Sequence, residues 1–159
     1  MSTWLFIWRF QPIHLGHISA IRQLLLLWID RIVIGIGSSN ISPSQENPFS
    51  VDEREELVRE SLDLHFPNSI FDIVQIPDFL QDNEWTEYIM DMIQPSLIIS
   101  GNPWTKHCFA DRGVQIVEPF FDQKISATDI RSARRDGRLD AIEQFIDYHV
   151  IEFLKKRWF

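Results

Sequence analysis

Two histidines and an arginine lie close together near the start of the chain, in the stretch from Arg9 to His17 that reads RFQPIHLGH. His14 and His17 are three residues apart and could share one side of a first helical turn. The start of a helix presents unpaired backbone N–H groups and the positive end of its dipole, which suits it to bind phosphate. Gly16 has no Cβ, so a phosphate could approach the backbone there. These residue types at this spacing indicate chemistry on a nucleotide.

Other interpretations of the His-x-Gly-His pattern remain open when it is taken alone. It also fits a turn with surface histidines, or one half of a metal site. A zinc site would need further ligands, but Cys108 is the only cysteine and the sequence has no second closely spaced His or Cys pair. The context favours the nucleotide interpretation, because residues 3–8 are typical of a buried strand and a helix pattern follows directly.

Predicted strands and helices alternate along the rest of the chain. Strands are expected at residues 3–8, 31–37, 69–76, 97–100 and 114–117. Helices are expected at residues 18–28, 50–65, 84–93, 103–111, 126–137 and 139–156, the last of them an amphipathic C-terminal helix. Capping boxes are expected at Ser50 with Glu53 and at Ser126 with Asp129. The alternation predicts a single α/β domain over residues 1–159, in which flanking helices cover a Rossmann-like, doubly wound parallel sheet of about five strands.

Four segments resemble, in the same order, the motifs of the HxGH nucleotidylyltransferase superfamily, in the longer form typical of archaeal-type nicotinamide mononucleotide adenylyltransferases. They are residues 9–17, residues 34–54, the Ser-Gly-Asn-Pro of residues 100–103 and the Ile-Ser-Ala-Thr-Asp-Ile-Arg of residues 125–131. The chain departs from the family in two places. Trp8 stands where the family usually has glycine, and Pro43 stands where a histidine is common.

The resemblance implies an enzyme that joins ATP and nicotinamide mononucleotide to give NAD and pyrophosphate, by direct in-line attack on the α-phosphate. Such a reaction depends on positioning and on neutralising charge. The implied catalytic residues are His14, His17 and Arg131. The residues implied to bind ATP are Arg9, Phe10, Gln11, His14, Gly16, His17, Ser100, Asn102, Ser126, Thr128 and Arg131. A histidine among phosphates should favour its charged form.

The resemblance also implies a set of residues that bind the mononucleotide, namely Ser38, Asn47, Arg54, Asp78, Asn83 and Trp85. Trp85 would stack on the nicotinamide, whose pyridinium ring is a cation and is attracted to an indole face. Two of these residues have an alternative interpretation. Trp85 also fits a core position at a helix start, and Arg54 also fits a surface charge after a helix cap. Magnesium is implied as a companion of ATP, held by phosphates and water and not by protein ligands.

Composition narrows the class of protein. The 159 residues carry 15 Lys and Arg against 23 Asp and Glu, a formal net charge of −8, which disfavours attraction to nucleic acid or an anionic membrane. One cysteine excludes an internal disulfide, and the start of the chain has no signal-peptide pattern. The longest apolar run, residues 24–29, is too short to span a bilayer. We expect a cytoplasmic enzyme that forms a homo-oligomer.

Two other functions stay open. The same adenylyl transfer could use nicotinic acid mononucleotide or another phosphorylated small molecule. Motifs that bind phosphate indicate the type of reaction more reliably than they identify the acceptor molecule. A catalytically weak nucleotide-binding sensor is the second, and Trp8 is the feature in its favour. The presence of His14, His17, Ser126 and Arg131 argues against the sensor.

Overall fold

A five-stranded parallel sheet forms the centre of the protein. The structure is a computed structural model that describes residues 2–41 and 43–157. Its strands are β1 (Thr3–Trp8), β2 (Arg31–Ile36), β3 (Asp72–Gln75), β4 (Leu97–Ile99) and β5 (Gln115–Val117). They are ordered β3-β2-β1-β4-β5, and each neighbouring pair is parallel. The chain adds β2 and β3 on one side of β1 and then crosses to the other side, so the sheet has a switch point between β1 and β4, where such folds bind ligands.

Helices cover both faces of this sheet. They are α1 (Leu15–Leu25), α2 (Val51–His65), α3 (Asp82–Met92), α4 (Pro103–Phe109), α5 (Ala127–Arg135) and α6 (Tyr148–Lys156). Alternate side chains of β1 point to opposite faces. Phe6 packs in the core beneath α1, α2, α5 and α6, whereas Leu5 and Ile7 pack beneath α3 and α4. The predicted doubly wound α/β fold is therefore confirmed.

The predicted helix caps form as expected. Ser50 and Glu53 make a reciprocal capping box at the start of α2, and Ser126 and Asp129 make another at the start of α5. Asn102 caps α4, whose first residue is Pro103. Each cap satisfies backbone N–H groups that the helix itself leaves unpaired. Because these signals lie within three residues of each helix start, the sequence alone could predict them.

The first helix differs from its prediction. It was expected at residues 18–28, but it begins at Leu15 and ends at Leu25. Trp28 is 96% exposed and has φ of 52°, in the left-handed region that cannot continue a helix. Trp28 therefore belongs to an exposed turn and contributes nothing to the core.

The C-terminal segment also differs from the single helix predicted at residues 139–156. It forms two short 3₁₀ turns, Leu139–Ala141 and Glu143–Phe145, followed by α6. The break lies at Asp147, whose backbone is extended. Its carboxylate accepts hydrogen bonds from Ser61 Oγ (2.8 Å) and contacts His65 Nε2 (2.7 Å), both on α2. This tertiary contact fixes a bend that the periodicity of the segment does not reveal.

Smaller differences concern strand and helix ends. β3 covers four residues of the predicted 69–76, and α3 begins at Asp82, two residues earlier than predicted. Asn83 and Trp85 therefore both lie in the first turn of α3. Within residues 2–41 and 43–157, no helix combines the length and the apolar character needed to cross a membrane.

Candidate active site

The segments that follow β1 and β2 meet at the carboxyl edge of the sheet, and the side chain of Arg54 joins them. Arg54 is 1% exposed, and its guanidinium donates hydrogen bonds to the carbonyl oxygens of Arg9 (2.8 Å), Gly37 (2.7 Å) and Ser38 (3.1 Å). Its Nε donates to the carbonyl of Ser50 (3.3 Å). Burial lowers the pKa of Arg54 to about 10, and the negative charge of Asp78 offsets only part of this shift. These bonds make Arg54 a support beneath the site, while its contact with the mononucleotide stays a prediction.

Two left-handed residues lie beside these carbonyl groups. Phe10 has φ of 53° and Ser38 has φ of 52°, directly after the carbonyls of Arg9 and Gly37 that Arg54 holds. Side chains other than glycine rarely adopt this conformation, so the surrounding contacts must stabilise it. Arg54 thus fixes two sharp turns that direct the chain away from the central strands and into the site.

The two histidines cap α1 by bonding to its first turn. His14 Nδ1 accepts from the backbone N–H of Gly16 (3.1 Å), and His17 Nδ1 accepts from the backbone N–H of His14 (3.2 Å). The ring centroids are 3.7 Å apart. Since both Nδ1 atoms accept, each neutral ring carries its proton on Nε2. Imidazole rings here do the work that Ser and Glu do in an ordinary capping box, which is why the helix starts earlier than its apolar pattern predicts.

Burial keeps both imidazoles uncharged in the free protein. It lowers the pKa of His14 to about 4, although the nearby carboxylate of Asp129 opposes the change. Burial also lowers the pKa of His17, and the neighbouring His14 lowers it further. The expectation of a charged histidine concerns the phosphate-bound state, and in the free protein both rings are neutral. An anion beside these rings would favour the charged form.

Gly16 has a role that differs from the predicted one. A Cβ at this position would lie 2.8 Å from Nδ1 of His14 and 2.9 Å from its Cε1. Those distances are far inside van der Waals contact, so any other residue would displace the His14 ring from its cap. The glycine makes room for the imidazole, and the predicted close approach of a phosphate is not needed to explain it.

A cavity of about 580 Å³, here called the cationic cavity, opens beside His17 and the start of α5. It is lined by Trp8, Arg9, Phe10, Gln11, His17, Gln45, Glu46, Ala127, Thr128, Arg131 and Arg135. Three of these residues are arginines. In the part of the chain that the structure describes, none of the three arginines forms an ion pair. The cavity is therefore suited to a polyanion, and Glu46 is its one carboxylate.

Arg131 is the arginine most firmly held in the cationic cavity. It is 8% exposed; Nη1 donates to the carbonyl of Gln11 (2.8 Å) and Nη2 to Thr128 Oγ1 (3.2 Å). Its Nε is buried and has no hydrogen-bond partner among the described residues. Burial lowers the pKa of Arg131, and the positive charges of Arg135 and Arg9 lower it further. A bound anion would relieve this repulsion.

A second cavity of about 410 Å³, here called the aromatic cavity, lies on the other side of Trp8 and Arg9. It is lined by Ile7, Trp8, Arg9, Gly37, Ser38, Asp78, Trp85, Ser100, Gly101, Asn102, Trp104, Thr105 and Phe121. A third cavity, the outer cavity of about 420 Å³, is lined by Arg9, Ser38, Ile41, Asn47, Asp78, Phe79, Asn102 and Trp104. Arg9 lines all three and donates to Asn47 Oδ1 (3.2 Å). It therefore stands where the cavities meet.

The structure divides the predicted ATP residues between the cavities. Those that line the cationic cavity are Arg9, Phe10, Gln11, His17, Thr128 and Arg131. Ser100 and Asn102 line the aromatic cavity instead. His14 and Gly16 form the adjoining helix cap and line neither. The hydroxyl of Ser126 donates to Asp129 Oδ2 (2.6 Å), so in this structure it serves the cap of α5.

Most of the predicted mononucleotide residues come together. Ser38, Asp78 and Trp85 line the aromatic cavity, and Asn47 lines the outer cavity. Asn83 lines none of the three cavities; it is exposed on α3, and its carbonyl accepts from the hydroxyl of Thr86 (2.9 Å). The predicted contact from Asn83 is thus not supported by its position.

Two prominent wall residues lie outside the residues that the family motifs assign to the site. Arg135, one of the candidate cations for an anionic substrate in the sequence, lines the cationic cavity one helical turn after Arg131. Sequence reasoning missed the other residue, Trp104. Trp104 lines both the aromatic and the outer cavity. Its place directly after the Ser-Gly-Asn-Pro motif was the only signal available for it. Both side chains therefore extend the site beyond the residues of the family motifs.

Comparison with known proteins places this geometry in a family. A model described as cytidylyltransferase-like matches residues 5–133. The chain belongs to that family. It is 34% identical over 155 residues to a nicotinamide-nucleotide adenylyltransferase of Thermococcus onnurineus (strain NA1), covering 96% of this chain and 81% of that one. A protein of the same name from Saccharolobus solfataricus is 36% identical over 135 residues, covering 82% of this chain and 78% of the other. The predicted resemblance to archaeal-type members of this family is confirmed.

Solved structures of the family support the fold. A bifunctional NMN adenylyltransferase/ADP ribose pyrophosphatase from Francisella tularensis, complexed with AMP and a manganese ion, superimposes with a TM-score of 0.75 at 22% identity. The match covers 98% of this chain and 48% of that one, so the chain spans about half the length of the bifunctional protein. A putative nicotinate-nucleotide adenylyltransferase from Vibrio parahaemolyticus gives a TM-score of 0.66 at 20% identity. The cytidylyltransferase-like fold therefore extends over nearly the whole chain.

Proposed function

We propose that this protein transfers the adenylyl group of ATP to nicotinamide mononucleotide, giving NAD and pyrophosphate. The observation that carries the proposal is the pair of adjoining cavities, one cationic and one aromatic, with Arg9 in the wall of both. A reaction between two nucleotides needs two such compartments that meet where the phosphates react. The archaeal relatives of the same name support this assignment.

The cationic cavity would hold the triphosphate of ATP. Arg131 lines this cavity, and its bonds to Gln11 and Thr128 keep the guanidinium in place. His17 also faces the cavity, and because its Nδ1 is occupied, its Nε2–H is the donor that remains. Donors that are already in place stabilise the charge that develops on pyrophosphate as it leaves. Arg131 and His17 therefore act directly on ATP, and His14 orients His17 through the shared cap.

The aromatic cavity would hold the acceptor. Trp85 and Trp104 form the aromatic wall of this cavity, and Asp78 offers a carboxylate. Arg9 is placed to bind the phosphate of the mononucleotide, next to the α-phosphate of ATP. The acid form, nicotinic acid mononucleotide, would bring its carboxylate towards Asp78. Repulsion between like charges a few ångströms apart is on the order of 1–4 kcal/mol, so we propose at least tenfold preference for the amide.

Magnesium would accompany ATP and neutralise part of the charge on its phosphates. Among residues 2–41 and 43–157, no group of three or more His, Cys, Asp or Glu side chains is placed to hold a metal ion. We propose that the ion is held by the phosphates and water. A single domain, a homo-oligomer in the cytoplasm and the lack of nucleic-acid or membrane partners remain predictions from the sequence.

The proposal is tested by mixing the purified protein with ATP, Mg²⁺ and a panel of phosphorylated acceptors and following pyrophosphate release. We expect release with nicotinamide mononucleotide, at least tenfold less with the acid form, and none with ribose 5-phosphate. A protein that binds ATP but turns over no acceptor would instead be a sensor. Trp8, which fills the wall between the cavities, is the feature that favours that second function.

A further inference from the structure

The two tryptophans of the aromatic cavity differ in their access to a ligand. Trp85 is 5% exposed and packs within the core against Phe109, with ring centroids 5.6 Å apart. Trp104 is 39% exposed and lies 4.5 Å from Trp85, with the ring planes 43° apart. One indole therefore covers the other. Trp104 presents the accessible aromatic surface, although the sequence pointed to Trp85.

The backbone that carries Trp104 is held by local polar bonds. Asn102 Oδ1 accepts from the N–H of Trp104 (3.0 Å), and the N–H of Asn102 donates to Ser100 Oγ (3.2 Å). Ser100 Oγ in turn donates to Thr105 Oγ1 (3.3 Å). Ser100 is on the cavity side of β4 and is buried. These bonds connect the start of α4 to the end of a central strand, so the position of Trp104 at the cavity wall is fixed by the sheet.

Charge and shape around Trp104 match a flat cation. The indole lines the aromatic and the outer cavity, and both Asp78 and Arg9 line them with it. A mononucleotide carries a pyridinium cation and a phosphate, so these walls offer an opposite charge to each of the two groups. An indole face attracts a cationic ring, and a nearby carboxylate adds to that attraction. An uncharged ring of the same shape would gain the packing but not the electrostatic part.

We propose that Trp104 supplies the face on which the acceptor's pyridinium ring stacks, with Trp85 supporting Trp104 from the core. This inference rests on the proposed function, because it names the residue that recognises the acceptor of that reaction. It makes Trp104 a specificity-determining residue. Trp85 is then a positioning residue, which acts on the acceptor through Trp104.

The experiment uses Trp104→Leu, which keeps an apolar cover over Trp85 but removes the π face. We expect the KM for nicotinamide mononucleotide to rise about 2- to 30-fold, the range for one cation–π contact, while the KM for ATP stays within about twofold. The effect should be smaller with the reduced, dihydropyridine form of the acceptor, whose ring carries no charge. Trp104→Phe should restore most of the affinity for the charged acceptor.

Trp28→Leu is the matched control, because it removes an exposed indole that lines none of the three cavities. It should leave both Michaelis constants unchanged. The inference is overturned if the Trp104→Leu variant shows a thermal unfolding transition like that of the wild type, and is therefore folded, but keeps the wild-type KM for the mononucleotide. It is also overturned if charged and uncharged acceptors weaken equally, since Trp104 would then be a steric wall. Failure of the proposed function is distinguishable, because the wild-type protein would then form no NAD.

Discussion

Replacement of Arg54 by methionine separates a structural role from a ligand-binding role. Methionine keeps an unbranched apolar stem but removes every donated hydrogen bond. Three of the four lost bonds are 3.1 Å or shorter, and each bond from a charged group contributes about 1.5–3 kcal/mol. Such contributions do not add fully, so we expect Arg54→Met to lower the free energy of unfolding by about 3–5 kcal/mol. For a domain of this size, that corresponds to a fall in Tm of about 6–20 °C.

The assay combines thermal unfolding with steady-state kinetics. Arg59→Met is the matched control on the same helix, because Arg59 is exposed and its ion pair within the described part of the chain is with Glu55, one turn away (2.9 Å). That exposed pair should contribute little, so Tm should stay within about 4 °C of the wild-type value. If Arg54→Met instead melts like the control while the KM for the mononucleotide rises, Arg54 contacts the ligand and the support role is refuted.

Three further predictions concern the cationic cavity and the two histidines that cap α1. His17→Ala should lower kcat about 10²–10³-fold, because it deletes a donor to the leaving pyrophosphate; normal activity per folded molecule would make His17 purely structural. Arg131→Lys should lower kcat/KM for ATP at least tenfold in steady-state assays, since an ammonium cannot bond Gln11, Thr128 and a phosphate in the same geometry; wild-type kinetics would exclude a phosphate contact. The free protein should lose stability as the pH falls from about 6.5 to about 4, because unfolded His14 takes up a proton there and folded His14, with its pKa lowered to about 4, does not. Chemical denaturation across that range should show a loss of about 3 kcal/mol from His14, and a flat profile would contradict its burial as a neutral ring.

Local signals made much of the fold predictable. The buried strands are runs of apolar residues, and the caps of α2 and α5 depend on residues three positions apart. The alternation of these elements was sufficient to predict a doubly wound sheet. The start of α1 was not predictable in this way, because histidines that cap a helix with their rings are outside the usual signals.

Contacts between distant residues account for the rest. The bend at Asp147 depends on Ser61 and His65, more than eighty positions away. In the sequence, Arg54 fits a surface charge. In the folded chain it is buried, because the turns after β1 and β2 place their carbonyl groups against its guanidinium. Trp85 packs in the core, which was one of its two predicted roles, and it also lines the aromatic cavity, where Trp104 packs over it from another helix. Spacing along the chain identifies which residues reach the site, whereas packing decides which of them face a ligand.

The most direct test of adenylyl transfer is a product measurement. Purified protein is incubated with ATP, Mg²⁺ and nicotinamide mononucleotide, and NAD and pyrophosphate are quantified in the same sample. The two joined cavities predict that both products form in a 1:1 ratio and that neither forms when the mononucleotide is omitted. Pyrophosphate without NAD, or no products from a folded protein that binds ATP, would contradict the account.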